Sequence, residues 1–271
     1  MPELPEVEIT RQGLLPLVNQ TVKAVVIRNA SMRWPIPDHL THTLNNQQLL
    51  GLTRRAKYIL AKFESGTLLI HLGMSGHISL LDRNYPPEKH DHFDIQFNNG
   101  YVFRLNDPRR FGAVLWAGIK PEQHVLLSTL GPEPLETSFN ARYLHQQMQS
   151  RQAAIKNTIM DAHLVVGIGN IYANESLFRA RIHPEYPANK LTFMQCEKLV
   201  VEIKTTLEDA LKAGGSSLRD FAAVNGQSGY FQQSYFVYGR TNQPCKVCGN
   251  SIKNIKLAQR STFYCQHCQQ L

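Results

Sequence analysis

Four cysteines near the C-terminus constrain the fold of this chain more than any other feature. Cys245-x-x-Cys248 and Cys265-x-x-Cys268 stand sixteen residues apart. Each pair can bring two thiolates to one side of a tetrahedron, and the segment between them has the length of a β-hairpin that closes it. One structural Zn2+ held by four cysteines is therefore expected, rather than a disulfide scaffold or redox chemistry. His267 could serve as a substitute ligand, but four cysteines already complete the shell. The fifth cysteine, Cys196, falls on an apolar helix face and reads as a buried core thiol. The last 51 residues, from Phe221 onward, hold Arg240, Lys246, Lys253, Lys256 and Arg260 with no Asp or Glu. A metal site left anionic by its thiolates yet surrounded by cations predicts a ribbon that faces an anion, with Arg260 inside the hairpin as its foremost contact.

The whole chain repeats that bias. Its formal charge is +8 over 271 residues, with a pI of about 9.3. Such an excess makes a polyanionic partner plausible without specifying which one. The length accommodates more than one core. No apolar run reaches transmembrane length, and the acidic, Pro-rich start does not read as a signal peptide, so a soluble, cytoplasmic protein with no membrane partner is expected.

Residues 22–118 read as strands. Phe93, Ile95 and Phe97 alternate with Asp94, Gln96 and Asn98, turn at Asn99-Gly100, and return through Tyr101, Phe103 and Leu105, which predicts a hairpin with one buried face. Runs at 22–28, 58–63, 67–72, 77–81 and 113–116 bring the expected total to about seven strands, most economically an antiparallel sandwich or barrel. A first helix is expected over 5–18. The pattern breaks near Gly131-Pro132-Glu133-Pro134 and turns helical. The clearest helix follows Asn189-Lys190, where Thr192 and Gln195 have capping-box spacing and Gly214-Gly215 supplies the stop. Val165 to Tyr172 contains Gly167-x-Gly169 before another helix running to about Arg179. That entry offers backbone N–H groups to a phosphate, or is a plain turn between helices. The stretch 216–235, rich in Gly, Gln and aromatics, reads either as a loop over a pocket or as an ordinary connection.

Several other segments carry chemistry. Pro2 stands behind a removable methionine, and its free secondary amine would be far less protonated at neutral pH than a lysine. Attack of such an amine on a sugar C1' gives an iminium, an electron sink for elimination, and Glu3 beside it could supply a proton. Alternatively Pro2 and Pro5 only shape the entry to a helix. Arg54-Arg55-Ala56-Lys57 is a basic strand entry. The turns His71 to Gly76 and Asp107 to Gly112 present Met74, Arg109 and Phe111, apolar tips near an arginine that suit insertion into a base stack. Lys89-His90-Asp91-His92 imitates a metal site but lacks a third ligand.

Taken together, the Pro-Glu start, Lys57, the two turns, the Gly-x-Gly-Asn-Ile-Tyr helix entry and the four-cysteine ribbon resemble the formamidopyrimidine-DNA glycosylases, bacterial enzymes that remove oxidised purines. The likeness runs from Met1 to Cys268 in the expected order. It implies a multidomain α+β protein. Residues 1–132 would form an antiparallel β-sandwich flanked by helices, 133–235 a helix-two-turn-helix domain with a lesion-capping loop, and 236–271 a zinc-finger hairpin. It further implies Pro2 as Schiff-base nucleophile, Glu3 as proton donor, Lys57 in β-elimination and Arg260 in δ-elimination. The guanidinium of Arg260 stays charged and suits orienting a phosphate better than giving up a proton. Lys57, His71, Asn170 and Arg260 match residues that hold the lesion's phosphates. His90, Arg109, Arg151 and Lys156 match other contacts to damaged double-stranded DNA. Met74, Arg109 and Phe111 match those that fill the emptied stack. The match departs at Asn174 and along 151–163. A monomer is expected. The rival readings are an endonuclease VIII-type enzyme for oxidised pyrimidines and a non-catalytic zinc-ribbon DNA-binding protein.

Overall fold

The computed structural model describes residues 1–216 and 230–271, so most of the 216–235 stretch lies outside the described residues. The chain divides into two compact units: Met1–Ser128 with Ala213–Tyr230, and Thr129–Lys212 with Phe231–Leu271.

The first unit opens with helix α1 (Leu4–Gly13), followed by strand β1 (Val22–Ile27), the short helix α2 (Leu40–Thr43) and strands β2 (Leu49–Arg55), β3 (Tyr58–Phe63), β4 (Gly66–His71), β5 (His77–Asp82), β6 (Asp91–Phe97), β7 (Tyr101–Asn106) and β8 (Ala113–Gly118). Two four-stranded sheets result, ordered β1-β6-β7-β5 and β2-β3-β4-β8, with every recorded pairing antiparallel. Alternation explains the sandwich. Phe93, Ile95, Phe97, Phe103 and Leu105 from one sheet share a buried core with Ile59, Phe63, Leu68 and Ile70 from the other. The β6–β7 hairpin turns at Gly100, whose φ of 90° suits a residue without Cβ.

Two sequence expectations change here. The first helix stops at Gly13, and a 3-10 turn follows over Leu15–Leu17, because Pro16 has no N–H to continue an α-helical ladder. In the sequence, strand β2 reads only as a basic entry at Arg54-Arg55. Its outward residues follow no strict alternation, and its conformation depends on pairing with β3 from Leu49↔Phe63 to Arg55↔Tyr58.

The second unit holds helices α3 (Ala141–Met148), α4 (Ile155–Ile159), α5 (Asn170–Ala180) and α6 (Phe193–Lys212), then the hairpin β9 (Lys253–Leu257) and β10 (Arg260–Tyr264). The α6 capping box forms as read: Gln195 N donates to Thr192 Oγ1 at 3.2 Å and Thr192 N to Gln195 Oε1 at 2.9 Å. Cys196, Leu199, Ile203 and Leu207 are fully buried along one face of α6, and burial pushes the Cys196 thiol up to about 11. Among the described residues no helix is long and apolar enough to cross a membrane.

Candidate active site and nucleic-acid interface

Helix α1 sets the N-terminus. Pro2 and Glu3 are buried while Met1 remains exposed. Glu3 and Glu6 form a capping box, in which Glu6 Oε2 accepts from Glu3 N at 2.9 Å. The second Glu6 oxygen accepts from Ser216 N at 2.8 Å, which ties the chain just before the undescribed segment to α1. Gly215, at φ 80°, makes this approach feasible, since a Cβ there would stand 3.3 Å from Glu6 Oε1. Both carboxyl groups are thus held by the geometry of a helix start, a favourable end for negative charge.

A cavity of about 610 Å3 opens beside Met1, lined also by Ser31, Met32, Arg33, His71, Gly73, Met74, Arg109, Arg110 and Phe111. His71 ends β4 and rests against the Tyr58 ring at 4.9 Å between centroids. Burial, then the charges of Lys57 and Arg33, lowers its pKa to about 4. Lys57 sits in the two-residue turn between β2 and β3, where Ala56 takes a φ of 54°. Within the basic run, Arg54 forms an ion pair with Glu8 at 3.4 Å and donates to Ala56 O at 2.8 Å, so it supports the turn that presents Lys57.

The two turns of the sequence reading lie together at the mouth of this cavity. Met74, 40% exposed, tips one; Phe111, 43% exposed, tips the other, with the Arg109 guanidinium over its ring at 4.8 Å. What sets these two apart is their shared place on one cavity wall beside two arginines, Arg109 and Arg110. His90 precedes β6 and faces His92 edge to face at 6.3 Å. His92 is buried, and its Nε2 meets Asp107 O at 2.9 Å, so His92 is used within the fold while His90 is half-buried.

In the second unit α5 begins at Asn170, with Gly169 as its N-cap. Asn170 Nδ2 donates to Ser261 O at 3.0 Å, and its buried Oδ1 has no hydrogen-bond partner among the described residues. The same Ser261 carbonyl accepts from Lys156 Nζ at 3.1 Å, and Thr262 Oγ1 lies 2.6 Å from that ammonium. Lys156 was expected to meet DNA directly, but it is fully buried and spends its charge on β10. Arg151 is also engaged, through Asp161 at 3.5 Å and Gln147 O at 3.2 Å. Arg260 opens β10 exposed, after the two-residue turn Ala258-Gln259, both of whose φ angles are positive as a tight hairpin requires.

Sequence reasoning missed the residues that seat the finger. Asn174, noted only as a departure, accepts from Phe263 N at 2.8 Å and donates to Asn170 O at 2.5 Å. Glu175 is 1% exposed and accepts from the backbone N–H groups of Phe236, Val237 and Tyr238 at 2.8, 3.0 and 2.8 Å. Burial still pushes its carboxyl group above the ordinary range, against those three donors. The Asn-Glu pair in a helix otherwise buried on every side was the available signal. Arg33, stacked over Trp34 at 4.6 Å, was likewise missed in the first unit.

The four cysteine sulfurs all lie within 4.8 Å of one another, with Cys248 and Cys265 at 3.4 Å and Cys245 and Cys268 at 4.0 Å. Zn–S bonds of about 2.3 Å would give tetrahedral edges of about 3.8 Å, so the donor set fits one zinc ion. Asn250 donates to Cys248 Sγ at 3.4 Å, and these hydrogen bonds bring that thiol down to about 6. Burial and the neighbouring sulfurs push Cys268 up to about 12. Sulfurs this crowded do not ionise together without a cation.

Three family models match this chain in order: the formamidopyrimidine-DNA glycosylase N-terminal domain over residues 1–114, the formamidopyrimidine-DNA glycosylase H2TH domain over 130–222, and the zinc finger found in FPG and IleRS over 242–271. The chain belongs to the formamidopyrimidine-DNA glycosylase family. The family's Methylobacillus flagellatus member is 62% identical over 270 residues, covering 100% of this chain and 97% of its own length. The Herminiimonas arsenicoxydans glycosylase is 52% identical, with 99% and 100% covered. Among solved structures, a Lactococcus lactis FPG mutant in complex with Fapy-dG containing DNA has a TM-score of 0.94 at 33% identity, with all of both chains covered. The Thermus thermophilus MutM (FPG) protein has a TM-score of 0.89 at 35% identity, covering 99% of this chain and 98% of its own. The formamidopyrimidine-DNA glycosylase zinc finger holds one structural Zn2+ on Cys245, Cys248, Cys265 and Cys268.

Proposed function

We propose that this chain is a base-excision-repair DNA glycosylase and AP lyase. It removes oxidised purines, 8-oxoguanine and formamidopyrimidines, from duplex DNA and nicks the strand by β,δ-elimination. The observation that carries the reading is the buried Pro2-Glu3 start beside a cavity that Met1 lines with His71 and the two exposed turns, in a chain matched along its length by one glycosylase family.

Loss of Met1 converts the Pro2 nitrogen from an amide to a secondary amine. That amine attacks C1' of the damaged nucleotide. The glycosidic bond breaks, and the electron pair leaves with the base, which takes a proton from the acid group assigned to Glu3. The C1'–O4' bond then breaks, O4' taking a proton as the sugar ring opens, which gives the iminium; loss of a C2' proton yields an enamine whose electrons expel the 3' phosphate, and loss of the 5' phosphate follows. Lys57, Arg33 and His71 in the first unit, and Asn170 and Arg260 in the second, hold phosphates. Arg260 does so as a fixed positive charge. Lys156 supports β10 from within, Arg151 and His90 add weaker contacts, and Met74, Arg109 and Phe111 occupy the space the extruded nucleotide leaves. The modules 1–132, 133–235 and 236–271 act as one monomer on cytoplasmic DNA.

Borohydride trapping tests this reading. Processed protein incubated with duplex carrying 8-oxoguanine should give a covalent adduct. No adduct from the processed protein, or an adduct that survives replacement of Pro2, removes the mechanism.

A further inference from the structure

Asp107 is fully buried, yet it belongs to no step of the chemistry above. Its Oδ1 accepts from Ser75 Oγ at 2.7 Å, and its Oδ2 accepts from Gly112 N at 2.8 Å. Arg109 N lies 3.3 Å from both Asp107 Oδ1 and Ser75 Oγ. One carboxyl group therefore spans two turns that are distant in sequence: one ends in Met74, the other in Arg109 and Phe111. The backbones touch as well. A Cβ on Gly73, at φ 64°, would come within 2.4 Å of the Phe111 carbonyl carbon, and one on Gly112 within 2.8 Å of His71 O. The Asp107 carbonyl is held from behind by His92 Nε2 at 2.9 Å.

Such a bond set costs desolvation of a carboxylate, which a turn needing only to be folded could avoid. What it provides is rigidity between three exposed tips. Forcing apart a base step costs a few kcal/mol, and side chains on independently yielding loops would bend before the stack did.

We propose that Asp107 and Ser75 are positioning residues that lock the Met74 turn and the Arg109–Phe111 turn into a single wedge, and so act on extrusion of a stacked lesion. The inference rests on the glycosylase reading. An abasic site has no base to unstack, so wedge rigidity matters for an intact 8-oxoguanine pair and much less for a preformed abasic site.

The experiment uses the full zinc-loaded chain with Ser75→Ala. Single-turnover excision of 8-oxoguanine opposite cytosine is measured beside nicking of a preformed abasic site, and 2-aminopurine next to the lesion reports unstacking. Excision and the fluorescence rise should slow about tenfold, as expected for loss of one hydrogen bond to a charged group. Abasic nicking should stay within about twofold, and Ser75→Thr, which keeps the hydroxyl, should recover excision. Equal loss on both substrates, or no loss on either, overturns the proposal. Should Ser75→Ala not fold, Ser75→Cys keeps the volume, weakens the bond and carries the same comparison. Failure of wild-type protein to nick abasic DNA would instead count against the glycosylase reading itself.

Discussion

His71 Nδ1 accepts a hydrogen bond from the Gly73 backbone N–H at 3.1 Å. A ring nitrogen that accepts carries no proton, so the neutral imidazole is the Nε2–H tautomer and its outward nitrogen is a donor. The phosphate contact proposed for His71 needs no positive charge. Because burial and the Lys57 and Arg33 charges bring its pKa to about 4, the donor persists unchanged across the neutral range.

The sign of the accompanying stability effect follows. The unfolded imidazole takes up a proton as pH falls through about 6.5, while the folded one stays neutral until about 4. The unfolded state gains over that window, so the stability His71 confers is present above about 6.5 and is lost on acidification toward 4. Thermal melts of wild type and His71→Gln over pH 4 to 7 should converge at the acid end. Parallel curves would refute the assignment, and 15N NMR should show a protonated Nε2 at pH 7.

Arg109 offers donors only, and cytosine presents O2 and N3 as acceptors, whereas adenine shows one acceptor and a donor on its pairing edge. Excision of 8-oxoguanine should be efficient opposite cytosine and weak opposite adenine. Arg109→Ala should flatten the ratio. Equal wild-type rates on the two pairs would remove Arg109 as the reader of the opposite base.

Arg33 lines the cavity with His71 and is braced by Trp34 without a carboxylate partner recorded among the described residues. If it meets a phosphate, Arg33→Ala should reduce the slope of log affinity against log salt by about 0.9. An unchanged slope with altered lesion preference would mean that it faces the base instead.

The finger should fail in two separable ways. Chelating zinc releases the four thiolates, and DNA binding should fall as β9 and β10 lose their order. Lys156→Met keeps the metal but removes the ammonium from Ser261 O and Thr262 Oγ1, which should cost about 1–3 kcal/mol of stability. Retained zinc with weakened binding in Lys156→Met would mark its action as passing through β10. Normal melting with lost binding would restore it as a direct DNA contact.

Local patterns are what the sequence determined by itself. The β6–β7 hairpin follows from strict alternation and Asn99-Gly100, the start of α6 from Thr192 and Gln195, and the metal ligands from two C-x-x-C pairs, because each depends on neighbours a few residues away. Strand β2 did not announce itself, since pairing with β3 decides its conformation. Tertiary structure alone decided how the charged and polar groups are spent. Lys156 reaches 105 residues along the chain to Ser261, Glu175 reaches 62 to Val237, and Asp107 reaches 32 back to Ser75. A buried charge is stable only where the fold brings donors or acceptors to it, and no local spacing encodes which distant backbone group will arrive. The sequence therefore named Lys156 as a cation and the two turns as surfaces. Only the packed chain turned the first inward to brace β10 and joined the second pair through Asp107.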